Sequence, residues 1–171
     1  MLKAFFPDMD VENVFCLDDK FFSTYNIKGV IFDIDNTLVT HDTVTPPEDI
    51  LGYFKTLEDM GIKIAIVSNN HKERVDLFCE SLGYPYIARA WKPFKKNLTE
   101  IQNRLNLKKE EICLVGDQIF TDIYGGNRMG YFSVLVTAVG ENETRLVALK
   151  RIFEKLVIKQ YRKNSQKNNK K

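Results

Sequence analysis

A chain of 171 residues, with 25 Lys and Arg against 23 Asp and Glu, is long enough to bury a sizeable core and too short for two ordinary domains. Its composition is that of a soluble globular protein. Cys16, Cys79 and Cys113 are widely spaced and odd in number, without a CxxC pair or a histidine spacing that suggests zinc, and they point to a reducing cytosol.

The net charge of +2 hides an asymmetry, since six basic residues and no acid follow from Lys159 onward, leaving 19 basic against 23 acidic groups in residues 1–158. A slightly acidic body therefore carries a basic tail of the kind that attracts anions. No apolar run approaches the roughly 20 residues that span a bilayer. Asp8 and Asp10 stand where a signal peptide would be apolar.

In chain order, the first segment carries Phe5, Phe6, Phe15, Phe21 and Phe22, which read equally as core or as a membrane-facing group. Short β-type runs then recur at Val30 to Phe32, Lys63 to Val67, Ile112 to Val115 and Ser133 to Val136. Each has few polar interruptions, as strands buried on both faces do. Helical stretches alternate with them. Thr45-Pro46-Pro47-Glu48 has a capping-box pattern ahead of a helix that should stop near Gly61. Asn70 with Glu73 begins a second helix leading to Gly83, and a third covers about Lys95 to Leu105. A weaker fourth, interrupted by Gly125 and Gly126, precedes Gly130. A long amphipathic helix is expected over roughly residues 141–161, then a polar, disordered tail over 164–171. Alternation of this kind predicts an α/β fold, a Rossmann-like parallel sheet flanked by helices.

In open parallel sheets ligands bind beyond the carboxyl ends of the strands. Asp33, Asp35, Asn36 and Thr37 follow the first run, Ser68, Asn69 and Asn70 the second, and Gly116, Asp117, Thr121 and Asp122 the third, with Lys92 between the last two. Residues i and i+2 of extended chain point the same way, so Asp33 and Asp35 could face one substrate. Adding Asp117 and Asp122 would crowd carboxylates that repel one another without a cation, and oxygen-only donors favour magnesium. A hydroxyl at Ser68, backbone amides beyond it and a positive charge at Lys92 are the parts for holding a phosphoryl group.

This set resembles the haloacid-dehalogenase phosphohydrolase superfamily. Its DxDxT motif stands as Asp33-Ile34-Asp35-Asn36-Thr37, its second motif as Ser68, its basic third motif as Lys92, and its acidic fourth as Gly116-Asp117 through Asp122. The resemblance implies a nucleophilic Asp33 that forms an aspartyl-phosphate. It implies Asp35 as general acid and base. Magnesium would be held by Asp33, the backbone carbonyl of Asp35 and Asp117, with Asp122 in support. Ser68, the Asn69 backbone and Lys92 would bind the phosphoryl oxygens. Asp35 at the second position of the motif implies a phosphatase rather than a dehalogenase or an ion pump.

Blander roles stand beside these. Asp122 could equally cap a turn or sit solvated. Asn36 and Thr37 are expected to fix their loop, His71 to lie on the surface, Trp91 to pack in the core, and the cysteines to be core residues. Only 34 residues separate Asp33 from Ser68, and 23 separate Ser68 from Lys92, which leaves no room for a cap domain. The domain is therefore expected to be capless over 1–163, with its core at 27–140, and its site open.

An open site suits a substrate that brings its own surface. The IKGVIFDIDNTLV segment, the SNN triplet, GDQxxTD and the short core resemble the class IIIA subgroup that includes phosphatidylglycerophosphate phosphatases. That resemblance implies a phospholipid substrate at the inner face of a membrane, with the protein cytoplasmic and peripheral. Helix 141–161 fits either core packing or lipid contact. Two alternatives remain: the same chemistry on a soluble sugar phosphate, nucleotide or phosphoprotein, and a nucleic-acid or ribosome-binding adaptor using the basic C-terminus. No RNA-reading motif supports the adaptor. Oligomeric state is not legible.

Overall fold

The computed structural model describes residues 2–140 and 157–161. The apolar runs become the middle of a six-stranded, wholly parallel sheet: β2 (Gly29–Phe32), β3 (Lys63–Val67), β5 (Ile112–Gly116) and β6 (Phe132–Val136). Each is flanked on both sides by another strand and covered on both faces, which is why its sequence is continuously apolar rather than alternating. Two edge strands complete the order β1-β6-β5-β2-β3-β4: β1 (Met9–Val11) and β4 (Tyr86–Ile87). They escape a pattern search because strands of three and two half-buried residues carry no period.

The side chains of β2 alternate between two layers. Val30 and Phe32 join a core with Phe54 and Leu57 of α2 (Glu48–Asp59) and Val75 and Phe78 of α3 (Lys72–Cys79). On the opposite face Ile31 packs with Leu98 and Ile101 of α4 (Lys95–Leu105), beside α5 (Tyr124–Met129), which contributes Met129. The sequence did not foretell α1 (Asp19–Thr24), a short helix capped by the Asp18 carboxylate accepting from Phe21 N at 2.9 Å. It buries Phe21 and Phe22 in the first layer.

Several helix starts differ from expectation. Pro47, not Thr45, is the N-cap of α2, and no side chain caps it. His71 rather than Asn70 caps α3, and the Asn70 side chain instead accepts from His71 N at its Oδ1, at 2.7 Å, just before the helix. A Cβ at Gly126 would make ordinary contacts with Leu114 and Ser133 at 3.4–3.5 Å.

Of the expected final helix, residues 141–156 lie outside the described residues, as does the 164–171 tail. Residues 157–161 are helical, with Val157 buried against Ile119, Ile123 and Leu135, and Tyr161 against Phe6 at 5.8 Å between ring centres. Phe5 stacks on Tyr124 at 4.5 Å, and Phe15 is exposed. Cys79 and Cys113 are core residues as expected, but Cys16 is exposed. Among the described residues no helix is long and apolar enough to cross a membrane.

Candidate active site

Strand β2 lies between β3 and β5, and the chain proceeds outward from it in both directions. The carboxyl end of β2 is thus a topological switch point, where a crevice opens in such sheets. Asp33 extends the β2 ladder by one bond, its N donating to Val115 O at 3.0 Å. The chain then folds over itself. The amides of Thr37, Leu38 and Val39 all donate to Ile34 O, and Asn36 adopts φ 60, a left-handed conformation that asparagine tolerates better than most residues. Thr37 Oγ1 donates to Asp117 Oδ1 at 3.4 Å, tying this loop to the end of β5. Asn36 and Thr37 thus hold the loop.

Asp33, Asp117 and Asp122 come together from the ends of β2 and β5 and from a wide π-helical turn over Ile119–Ile123. All three are buried, with ligand oxygens within 4.8 Å of one another. Lys92, 4% exposed, reaches into them from the loop between β4 and α4. Its Nζ lies 2.9 Å from Asp33 Oδ1 and 2.7 Å from Asp122 Oδ1, and donates to Val67 O at 2.9 Å. Of these contacts the one to Val67 O has hydrogen-bond geometry, while the two carboxylates sit at ion-pair distance. Lys92 thus stands between Asp33 and Asp122 and links them electrostatically. Burial alone would lower the Lys92 pKa, but the Asp122 and Asp33 carboxylates outweigh it and raise it, keeping the lysine charged.

Asp33 is pushed up to about 8, mainly by burial and further by Asp122 and Asp117, against the opposing pull of Lys92. Three buried carboxylates share one ammonium, and that imbalance is the electrostatic case for a cation here. The donor set, oxygen throughout, suits a hard divalent ion. Asp122 has a second duty, since its Oδ2 accepts from Gln118 N and Thr121 Oγ1, both at 3.2 Å. It leans on Gly116, where a Cβ would fall 2.3 Å from Asp122 Cγ. Gly116 is therefore glycine for space.

Ser68 and Asn69 follow β3. Ser68 is buried, and its Oγ accepts from Asn70 N at 3.1 Å. The Asn69 side chain clasps the backbone of Lys92, accepting from its N at 2.7 Å and donating to its carbonyl at 3.1 Å. Lys92 is joined to Pro93 by a cis peptide bond. Trp91 does not pack in the core: it is 69% exposed with φ 53. His71 is a surface residue at the start of α3, as expected.

Asp35 stands apart from the buried cluster. Its Oδ1 lies 3.2 Å from Arg74 Nη2 and 3.5 Å from His41 Nδ1, and its Oδ2 accepts from Asn70 Nδ2 at 3.0 Å. Asp33 and Asp35 thus share a strand end but keep different company. Sequence reading missed Arg74 and His41. Arg74 had a signal, because it lies four residues after Asn70 at a helix start, a spacing that places side chains on one face.

A parallel sheet with an aspartate at its switch point, a buried lysine and two supporting aspartates defines a phosphoryl-transfer hydrolase of the Rossmann-like type. The family model described as haloacid dehalogenase-like hydrolase matches residues 39–130, and the chain belongs to that family. It is a phosphatase, a phosphoric monoester hydrolase. A Bacillus subtilis (strain 168) protein named "Probable phosphatase YqeG" is 40% identical over 159 residues, covering 92% of each chain. "Phosphatidylglycerophosphate phosphatase 1, chloroplastic/mitochondrial" of Arabidopsis thaliana is 26% identical over 80% of this chain, which spans only 42% of that relative. Among solved structures, a HAD phosphatase from Thermococcus onnurineus superposes with TM-score 0.57 at 19% identity, over 74% of this chain and 98% of the other. That likeness concerns the fold.

Proposed function

We propose that this phosphatase removes the terminal phosphate of phosphatidylglycerophosphate at a membrane surface, by way of an aspartyl-phosphate on Asp33. The observation that carries the chemistry is the linked set Asp33, Lys92 and Asp122, in which a buried lysine held at 2.7 Å by one carboxylate fixes another at 2.9 Å. The substrate rests on the named activity of the Arabidopsis relative and on the openness of the mouth. Between β2 and β3 the chain supplies one helix, α2, and between β3 and β5 only α3, β4, α4 and a 3-10 turn. In this reading residues 1–163 form one capless domain that works in the cytoplasm on the inner membrane face.

Lys92 holds Asp33 by Oδ1, leaving Oδ2 to attack phosphorus in line with the leaving oxygen. As the bond from phosphorus to the glycerol oxygen breaks, Asp35 gives that oxygen a proton. Asp35 then takes a proton from water, which attacks the same phosphorus, breaks its bond to Asp33 and frees phosphate. Ser68 Oγ and the Asn69 amide bind phosphoryl oxygens, joined by Lys92 as negative charge develops. Arg74 and Asn70 orient Asp35 from its two oxygens. Asp33, Asp117 and the Asp35 carbonyl, with Asp122, would hold Mg2+, which when bound supplies positive charge against both the crowded carboxylates and the transferred group.

The test is phosphate release from phosphatidylglycerophosphate in vesicles, measured beside a panel of soluble phosphate esters. Asp33→Asn should reduce release by more than about 1,000-fold with the fold intact. Retained turnover would sink the nucleophile assignment, and a soluble ester with the higher kcat/KM would replace the lipid.

A further inference from the structure

The segment from Ala88 to Lys96, the loop after β4 and the first turn of α4, is built in an unusual way. Ala90 and Lys92 point inward and are buried, while Arg89, Trp91, Phe94, Lys95 and Lys96 are exposed. The inward residues are pinned: Ala90 N donates to Ser68 O at 2.9 Å, and Asn69 clasps the Lys92 backbone. Arg89 and Trp91 pay for this alternation with φ values of 47 and 53, a left-handed conformation costly for bulky side chains. The result is to hold a tryptophan 69% exposed and a phenylalanine 63% exposed in water. The strained backbone places Ala90 and Lys92 inward, but the exposure of the two rings brings no burial to the fold.

The position of these rings gives the reason. With Asn69, His71, Arg89 and Lys92, Trp91 and Phe94 line a groove of about 460 Å³ that runs to the phosphate-binding residues. Two further exposed apolar residues sit on loops leaving the same edge of the sheet: Val44 after β2 and Val139 after β6. Both are tied to the site. Val139 N donates to Asn36 O at 3.0 Å, and the Val44 carbonyl accepts from Arg74, the partner of Asp35. The mouth thus opens on a face carrying apolar groups. Within this segment the surface charge is one-sided, for the exposed Arg89, Lys95 and Lys96 fall between Ser81 and Thr99 with no acid among them, Lys92 being buried against Asp33 and Asp122.

We infer that this loop is a membrane-docking element that seats the mouth of the site on an anionic lipid bilayer, with Trp91 and Phe94 in the interfacial layer and Arg89, Lys95 and Lys96 among the headgroups. Aromatic rings beside basic residues are what the headgroup boundary retains: the rings take the apolar fringe and the cations meet anionic lipid. A nucleic acid would match the cations, but nothing on this face beyond the rings would read it. The inference rests on the lipid reading above and deepens it by naming the surface that brings the substrate in.

Trp91 is the single tryptophan of the chain, so its fluorescence reports this loop alone. The intact protein is titrated with vesicles of phosphatidylglycerol in phosphatidylcholine and with phosphatidylcholine alone, neither being a substrate. The expected result is a blue shift and quenching by brominated acyl chains on the anionic vesicles. Lys95→Gln with Lys96→Gln should weaken the partition roughly 25-fold, at about fivefold per charge. Phe94→Ser should weaken it further, in variants whose thermal unfolding matches the parent. Vesicle binding that leaves Trp91 emission unquenched would overturn the inference, since another face would then be docking. So would Trp91 emission that responds to single-stranded RNA and not to anionic vesicles. The substrate reading fails separately: quenching without release of phosphate from phosphatidylglycerophosphate refutes that reading and leaves the docking loop standing.

Discussion

Gly116 carries no functional group, yet its replacement by alanine should disable the site. A Cβ there would lie 2.3 Å from Asp122 Cγ, 2.4 Å from its Cβ and 2.5 Å from its Oδ2. Relaxed carbon contacts are about 3.5 Å, so Asp122 must retreat by roughly 1 Å. Asp122 is fully buried and held by Gln118 and Thr121, so the retreat has no empty space to use. Overpacking of this sort costs about 1–3 kcal/mol, which in a chain of this size lowers Tm by about 2–12 °C. The larger effect is on turnover. Lys92 lies 2.7 Å from Asp122 and 2.9 Å from Asp33, so a shift at one end is passed to the nucleophile. Misplacement by about 1 Å lowers kcat by roughly 100-fold. The assay pairs thermal unfolding with kcat on a soluble phosphate ester. Gly126→Ala is the comparison, because its new Cβ would make only ordinary contacts at 3.4–3.5 Å within a helix that favours alanine. Turnover of Gly116→Ala within twofold of the parent, with an unchanged Tm, would refute the reasoning.

Lys92→Met removes the lysine placed among three buried carboxylates, and loss of one partner from a buried ionic set costs about 3–5 kcal/mol; chemical denaturation should show that loss together with abolished turnover. Arg74→Ala frees Asp35 from its 3.2 Å partner, and kcat should fall about 10–100-fold with an altered pH profile, whereas Arg74→Lys should recover part of the rate. In metal-free protein Asp33 holds its proton until about pH 8, so a divalent cation must displace that proton below this value. Its apparent affinity should therefore rise about tenfold per pH unit up to about pH 8 and level off above; calorimetric titration at several pH values would contradict this if affinity were flat. By linkage, a carboxyl whose folded pKa is raised from 3.8 to about 8 stabilises the fold fully at low pH and loses that contribution as pH rises through this interval. The metal-free Tm should decline over that window, and Asp33→Asn should remove the decline.

Asp33 and Lys92 illustrate how the local sequence and the fold divide the specification of this site. The chain announces its central strands without help, because a strand flanked and covered on all sides needs an uninterrupted apolar run, and Val30 to Phe32, Lys63 to Val67 and Ile112 to Val115 provide it. Polar residues directly after such runs must lie at the carboxyl edge of a parallel sheet, so the sequence alone assigns Asp33, Asp35, Ser68 and Asp117 to one edge. What the sequence could not reveal depends on contacts between distant segments or on backbone that follows no period. Strands β1 and β4 are too short to show one, and Arg74 reaches Asp35 across 39 positions. Trp91 reads as core from its apolar character, but a left-handed backbone between buried Ala90 and Lys92 turns it outward. Asp33, Asp117 and Asp122 are legible in the chain as strand-end aspartates. Their crowding around a cation is expected from their places after the strands, but only the closing of β2 against β5 buries them and draws Lys92 between Asp33 and Asp122.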